Sequence, residues 1–305
     1  MATTRDYLQL HFLVFLWGFT AILGKLVSIP AVEMVFYRTL LAALGMGGVI
    51  LLLKGSFAVS RADMLRLMGT GLIVALHWLS FFLSGRVSNP STSLVGFATC
   101  SLWAAFLEPI ARKNKIQVIE VGLGVMVLAG LYIIFSFQFE YPLGLALGIL
   151  SGLTAALFGV INAQMVTRTN SYVITFYEMM GATLGISLFF PLYQNFWSAD
   201  GQLHLVPTAA DWFYIAVLAL VCTVYAYAVA INLTKRLSVF FIQLTLNLEP
   251  VYGIILALIV FGQQEVMDVS FYIGTAVILS AVAAYPYLKK RFNTTFPKVQ
   301  DLSNR

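Results

Sequence analysis

Charge is what this sequence has least of: 10% of its 305 residues are charged, against roughly 25% in soluble domains. With 60% hydrophobic residues and a mean hydropathy of +0.89, a water-soluble globular chain is excluded and a polytopic membrane protein is indicated. Cysteine is nearly absent. Cys100 and Cys222 both fall inside apolar runs, which argues against a disulfide framework or a thiolate metal site and leaves them as small packing residues. The sequence lacks a His-Glu-x-x-His pair, a Cys/His cluster, a serine in a Gly-x-Ser-x-Gly context and a nucleotide-binding glycine loop. Metal, cofactor and direct ATP chemistry therefore have no footing in the sequence. An intramembrane protease or lipid-modifying transferase would need a Ser–His dyad assembled from distant helices, which sequence leaves open. The net charge of +5 does not mark a nucleic-acid partner, because the basic residues lie in short gaps between apolar runs.

What the sequence has in abundance is apolar runs of spanning length, about 20 residues each. They lie at Leu8 to Ile29, Glu33 to Leu53, Asp63 to Ser84, Ser91 to Ala111 and Gln117 to Phe137. A second set follows at Leu143 to Thr167, Tyr172 to Tyr193, Trp212 to Leu233, Ser238 to Phe261 and Ser270 to Leu288. The first run exceeds the 7 to 15 or so residues of a signal-peptide core and carries Lys25, so it reads as a retained helix. With the N-terminus inside, the cytoplasmic gaps collect Arg5, then Lys54, Arg61 and Arg66, then Arg112, Lys113 and Lys115, then Arg168, Lys235 and Arg236, and finally the basic tail after Leu288. The opposite gaps hold Arg86 and a set of acids. This asymmetry predicts both termini in the cytoplasm and an even number of spans, in what reads as a bacterial inner membrane.

Internal repetition sets the architecture. Leu16-Trp-Gly-Phe-Thr-Ala21 matches Leu150-Ser-Gly-Leu-Thr-Ala155, and Phe36-Tyr37-Arg38 matches Phe176-Tyr177-Glu178, with Leu-Gly pairs following at equal spacing. A five-helix unit is duplicated, and since five is odd the second copy must enter the membrane from the opposite side. The expectation is an all-α membrane protein of ten transmembrane helices, as two inverted five-helix repeats around a central cavity. Residues 1–138 form the first repeat, 142–290 the second and 291–305 a cytoplasmic tail. With His77-Trp78 and Asn247-Leu-Glu-Pro-Val-Tyr-Gly253 added in order, the chain resembles the drug/metabolite transporter superfamily in its ten-helix EamA-type form. That resemblance implies export of amino acids, other small metabolites or drugs. The family pattern often has Gly-Glu at the outer end of the ninth helix, where this chain has Gly262-Gln263-Gln264-Glu265.

Candidate site residues follow from polar groups placed at depth. Glu249, beside Pro250 in the ninth run, puts a carboxylate costing about 2.5–3.5 kcal/mol next to a broken backbone bond. A helical wheel puts Leu244, Leu248, Val251, Ile255 and Leu258 on a lipid face and Gln243, Asn247 and Tyr252 on flanks that can face a cavity. His77, Trp78, Trp17, Trp103 and Tyr177 complete the expected lining. Trp17, Trp78 and Trp103 lie away from the headgroup zone and favour an amphipathic substrate, held in part by cation–π contact. Glu249, Glu178, Arg38 and Lys25 are the candidates for proton binding or gating, though snorkelling to the outer interface is the favoured account of Arg38 and Lys25. Glu108 is placed to pair with Arg112 one turn on. Gly144, Gly148, Gly152 and Ala156 recur every fourth residue as a ridge for close packing. The function expected is a secondary transporter of a small molecule in a lipid bilayer, without metal or cofactor; a passive facilitator fits the same features. Substrate, coupling and oligomeric state are left open by the sequence.

Overall fold

The computed structural model describes residues 2–88, 90–135, 141–198, 200–252 and 269–291. Among them, eight helical stretches are long and apolar enough to span a bilayer, with Val118–Ile134 a shorter apolar helix. The ninth run enters as a helix at Val239 and passes out of the described residues after Tyr252. The described residues are helical and carry no strand, the all-α membrane fold that the ten apolar runs predict.

In chain order the helices are α1 (Thr4–Gly18), α2 (Thr20–Leu26), α3 (Ala31–Leu52), α4 (Arg61–Val87), α5 (Pro90–Phe97), α6 (Thr99–Ala111) and α7 (Val118–Phe135). The second half holds α8 (Pro142–Met165), α9 (Ser171–Phe196), α10 (Ala209–Ala216), a π-helical stretch (Val217–Tyr225), α11 (Ala226–Leu233), α12 (Val239–Leu246) and α13 (Val269–Arg291). Packing is largely between halves: α4 lies against α8 and α9, α5 and α6 against α8, α3 against α9, and α7 against α13. The glycine ridge of α8 permits one of these contacts, since a Cβ on Gly148 would meet Gly96 of α5.

Helix starts are set by short polar side chains. Ser60 caps α4 by accepting from the Asp63 amide at 3.0 Å, and Thr208 caps α10 by accepting from the Asp211 amide at 3.1 Å. Glu108 caps a helix in another part of the chain. Its Oε2 accepts from the Phe240 amide at the start of α12 at 2.9 Å, and its Oε1 lies 3.3 Å from the Arg112 guanidinium, the pair expected from their spacing.

Four spans are interrupted: between α1 and α2 at Phe19, between α5 and α6 at Ala98, at the π-helical stretch, and after α12 at Asn247 and Leu248. The last break comes from Pro250, which has no N–H for the carbonyl of Leu246 and disfavours helical geometry at the residue before it. Asn247 meets the loosened carbonyls, its Nδ2 donating to those of Gln243 at 3.2 Å and Leu244 at 3.3 Å. The wheel reading of this helix needs correction. Leu244, Leu248 and Val251 are 0%, 1% and 4% exposed, so the expected lipid face is buried in protein. The helix is packed among α1, α6 and α8, and an apolar stripe cannot distinguish lipid from a neighbouring helix. Ile255, Leu258 and the Gly262-Gln-Gln-Glu265 departure lie outside the described residues.

Candidate functional site

Among the described residues the interrupted segments converge on one cavity, whose empty space of about 890 Å³ includes open solvent. Irregular backbone at membrane depth is tolerated where it lines such a space. Phe81, Phe82, Phe97, Phe158, Trp17, Trp78 and Tyr227 give the wall its aromatic face, and Arg38, His77, Asn162, Gln243 and Glu249 are among its polar groups. Lining residues come from both halves of the chain.

Arg38 departs furthest from its expected place. It is 3% exposed and turned into the cavity rather than out to an interface. Its guanidinium carbon lies 3.9 Å from the centroid of the Trp78 ring, a cation–π contact. Its Nε donates to Thr223 Oγ1 at 3.1 Å. Thr223 is available because it sits in the π-helical stretch, where its own hydroxyl donates to the carbonyl of Leu218 five residues back at 2.9 Å. The same stretch presents the Cys222 carbonyl, which accepts from Trp17 Nε1 at 2.9 Å. A π turn at a functional site is a recurring arrangement, and here it fixes one cation and one indole on the cavity wall.

Glu249 stands on that wall beyond the Asn247 break and is 8% exposed. Among the described residues its carboxyl group has no hydrogen-bond donor and no ion-pair partner. His77 is held by Ser151, whose carbonyl and Oγ both lie 2.9 Å from its Nδ1, and its ring is 5.6 Å from Phe97 and 5.3 Å from Phe158. Gln243 donates to the Ala155 carbonyl at 3.1 Å, and its Oε1 is buried without a partner.

The other expected residues stand apart from the cavity. Asn247 is turned to Ser101, 3.2 Å away. Tyr252 bonds His11 Nδ1 at 2.8 Å, and Tyr177 donates to the Phe57 carbonyl at 3.0 Å. Trp103 packs in the core with its Nε1 buried and unpartnered, and Lys25 is exposed at the end of α2. Glu178 is 0% exposed; it lies behind the wall and reaches it through Asn162 and Tyr227. Sequence reasoning missed these last two, and a lone Asn in the sixth apolar run was the signal that could have found one of them.

At each end of the bundle the two halves are tied by related contacts. Asp211, at the start of α10, accepts from the Ser28 amide at 2.6 Å and from Ser28 Oγ at 2.7 Å. Asp63, at the corresponding start of α4, pairs with Arg168 at 2.7 Å. Tyr37 donates to the Leu205 carbonyl at 2.7 Å, as its repeat mate Tyr177 does to Phe57. The ends are opposite ones: α4 begins at the Asp63–Arg168 contact and finishes where Arg86 donates to the Ile29 carbonyl, beside Ser28, at 2.8 Å. Its 27 residues separate them by about 40 Å. The cavity wall reaches Thr234 and Val239 toward the Arg168 end. No lining residue among the described ones comes from α10, at the Ser28 end.

Known proteins agree with this architecture. The chain is 21% identical over 276 residues to an uncharacterized transporter, YxxF, of Bacillus subtilis (strain 168), covering 88% of this chain and 85% of that one. A solved crystal structure superposes with a TM-score of 0.76 at 14% identity, covering 95% of this chain and all of the other, which shows the shared fold. The model of the EamA-like transporter family matches residues 7–136 and again 142–293. The chain belongs to the EamA-like transporter family, and is a membrane transporter rather than an enzyme.

Proposed function

We propose that this protein exports a small amphipathic metabolite, an amino acid with an apolar side chain being the best fit, by alternating access. The observation that carries the reading is the placement of Arg38 and Glu249 on one aromatic-walled cavity. A carboxylate recognised by the guanidinium, an ammonium by Glu249, and an apolar side chain against the phenylalanines match those three features.

The exchange of contacts between halves supports inverted repeats, divided between residues 138 and 142. Tyr37 of the first half holds a loop of the second at one end, while Tyr177 of the second holds a loop of the first at the other. The aspartates reciprocate in the same manner. Rocking one repeat against the other would break one set of ties while making the other, which is the mechanical content of alternating access. The basic gaps assign the Arg168 end and both termini to the cytoplasm of a bacterial inner membrane. On that assignment the cavity wall extends toward the cytoplasm, the side from which an exporter takes its substrate.

The test begins with a thermal-shift screen of purified protein against amino acids, nucleosides and cationic dyes, with hits assayed for counterflow in proteoliposomes. Apolar amino acids are expected to stabilise the protein and to exchange. Glu249→Gln should reduce counterflow about tenfold or more, the loss of one charge-assisted contact, while remaining monodisperse. Full transport by that variant at every pH would remove Glu249 from the site.

A further inference from the structure

Behind the cavity wall lies a carboxyl group that substrate recognition does not use. Glu178 is 0% exposed, and its Oε2 accepts from Tyr227 Oη at 2.9 Å and from Asn162 Nδ2 at 3.3 Å. Asn162 Nδ2 also lies 3.0 Å from Tyr227 Oη. Among the described residues, two atoms of this trio, Glu178 Oε1 and Asn162 Oδ1, are buried without a partner. Tyr227 and Asn162 line the cavity, whereas Glu178 does not.

The groups that face Glu178 from neighbouring elements are few. Asn162 comes from α8 and Tyr227 from α11. The α4 face opposite is backbone at Met68 and Gly71, because a Cβ on Gly71 would meet the Glu178 carbonyl and one on Gly181 the Met68 carbonyl. From α3 the nearest polar contact to α9 is Thr39 with Thr183. Among the described residues no charged side chain pairs with Glu178, and the charges on the cavity wall are Arg38 and Glu249.

We propose that Glu178 is a proton-carrying site, exchanging a proton with the cavity through Tyr227 during the transport cycle. The proposal rests on the transport reading above and adds what the cycle is coupled to. A buried carboxylate with no cation beside it is costly, and a neutral carboxyl group much less so. The trio can serve both states with no more movement than a turned amide. When ionised, Glu178 accepts from Tyr227 and Asn162 as placed. When protonated, it donates to the Tyr227 hydroxyl, or to Asn162 Oδ1 once that amide is turned over, which gives the orphaned oxygen its partner. On release, the Glu178 O–H bond breaks as Tyr227 takes that proton and passes its own hydroxyl proton to a water molecule in the cavity, which leaves as hydronium. The Glu178 backbone also lies at a close crossing of the two halves, where α4 and α9 touch backbone to backbone.

The test has two arms, both on the full chain. In the first, infrared spectra of ligand-free protein are compared at acid and alkaline pH. Subtracting the Glu178→Gln spectrum, which cancels Glu249 and the other carboxyl groups, should leave one carboxylic C=O band that is lost at alkaline pH, and Tyr227→Phe, which keeps the ring and removes the hydroxyl, should shift it. A difference spectrum without that band, or with one that ignores pH, overturns the proposal. In the second, proteoliposomes holding a trapped pH dye are given phenylalanine. Wild type should move protons with the amino acid. Glu178→Gln should keep counterflow within about twofold while losing the dye response, and Tyr227→Phe should move fewer protons per phenylalanine carried. Counterflow by wild type without a dye response, or a Gln variant that still moves protons, also overturns it. Absence of counterflow by wild type overturns instead the transport reading, and the infrared arm then decides Glu178 alone.

Discussion

The Ser28 end and the Arg168 end tie the two halves of the chain at corresponding positions with different chemistry. At the Ser28 end Asp211 is 1% exposed and takes four hydrogen bonds from neutral donors, two from Ser28 and two from Thr208. Glu33, also fully buried, accepts from the His204 amide at 3.2 Å beside it. At the Arg168 end the Asp63 and Arg168 side chains are 19% and 49% exposed. Buried hydrogen bonds to a charged group contribute more than a hydrated ion pair, which pays for fixing two long side chains and is screened by salt. The end the cavity does not reach is thus the one closed by buried bonds, and the end it approaches is held by a contact that opens easily.

This comparison can be broken by substitution. The largest effect is expected from Asp211→Ala, which strands the Ser28 and Thr208 donors and should cost about 2–4 kcal/mol in thermal unfolding. Tyr37→Phe and Tyr177→Phe each remove one hydrogen bond to a loop carbonyl, about 1 kcal/mol. A much larger loss for Tyr37→Phe would show the Ser28 end to be the stiffer one in its loop as well. The smallest effect belongs to Asp63→Ala. A double-mutant cycle with Arg168→Ala should return a coupling of about 0.2–1 kcal/mol that shrinks as salt is added. A coupling of several kcal/mol, insensitive to salt, would erase the contrast between the ends.

Much of the fold was legible because bilayer thickness forces long apolar runs, and these carry their own length signal. The site was legible in part. Glu249, His77, Trp17 and Trp78 were conspicuous as polar or aromatic groups at depth, and the structure brings them to one cavity. Arg38 was ambiguous, since a long cationic side chain near a helix end can snorkel, and only the π-helical stretch with Thr223 explains why it turns inward. That stretch leaves no periodicity in an all-apolar run. Trp103 and Asn247 were misplaced for a related reason: depth in the membrane can be counted along a chain, but facing a cavity or a neighbouring helix depends on packing. The ties made by Asp63 and Asp211 were not legible, since the sequence around a carboxylate does not say which loop of the other half it reaches.

The central claim is that the two ends open and close in opposition. Spin labels at exposed Ala62 and Thr167 report on the Arg168 end, and labels at exposed Lys25 and Ala210 on the Ser28 end. Distances within each pair, measured by double electron–electron resonance in proteoliposomes with and without phenylalanine, should change in opposite senses, one pair closing as the other opens. Two distance distributions that stay fixed, or that widen together, would contradict the account.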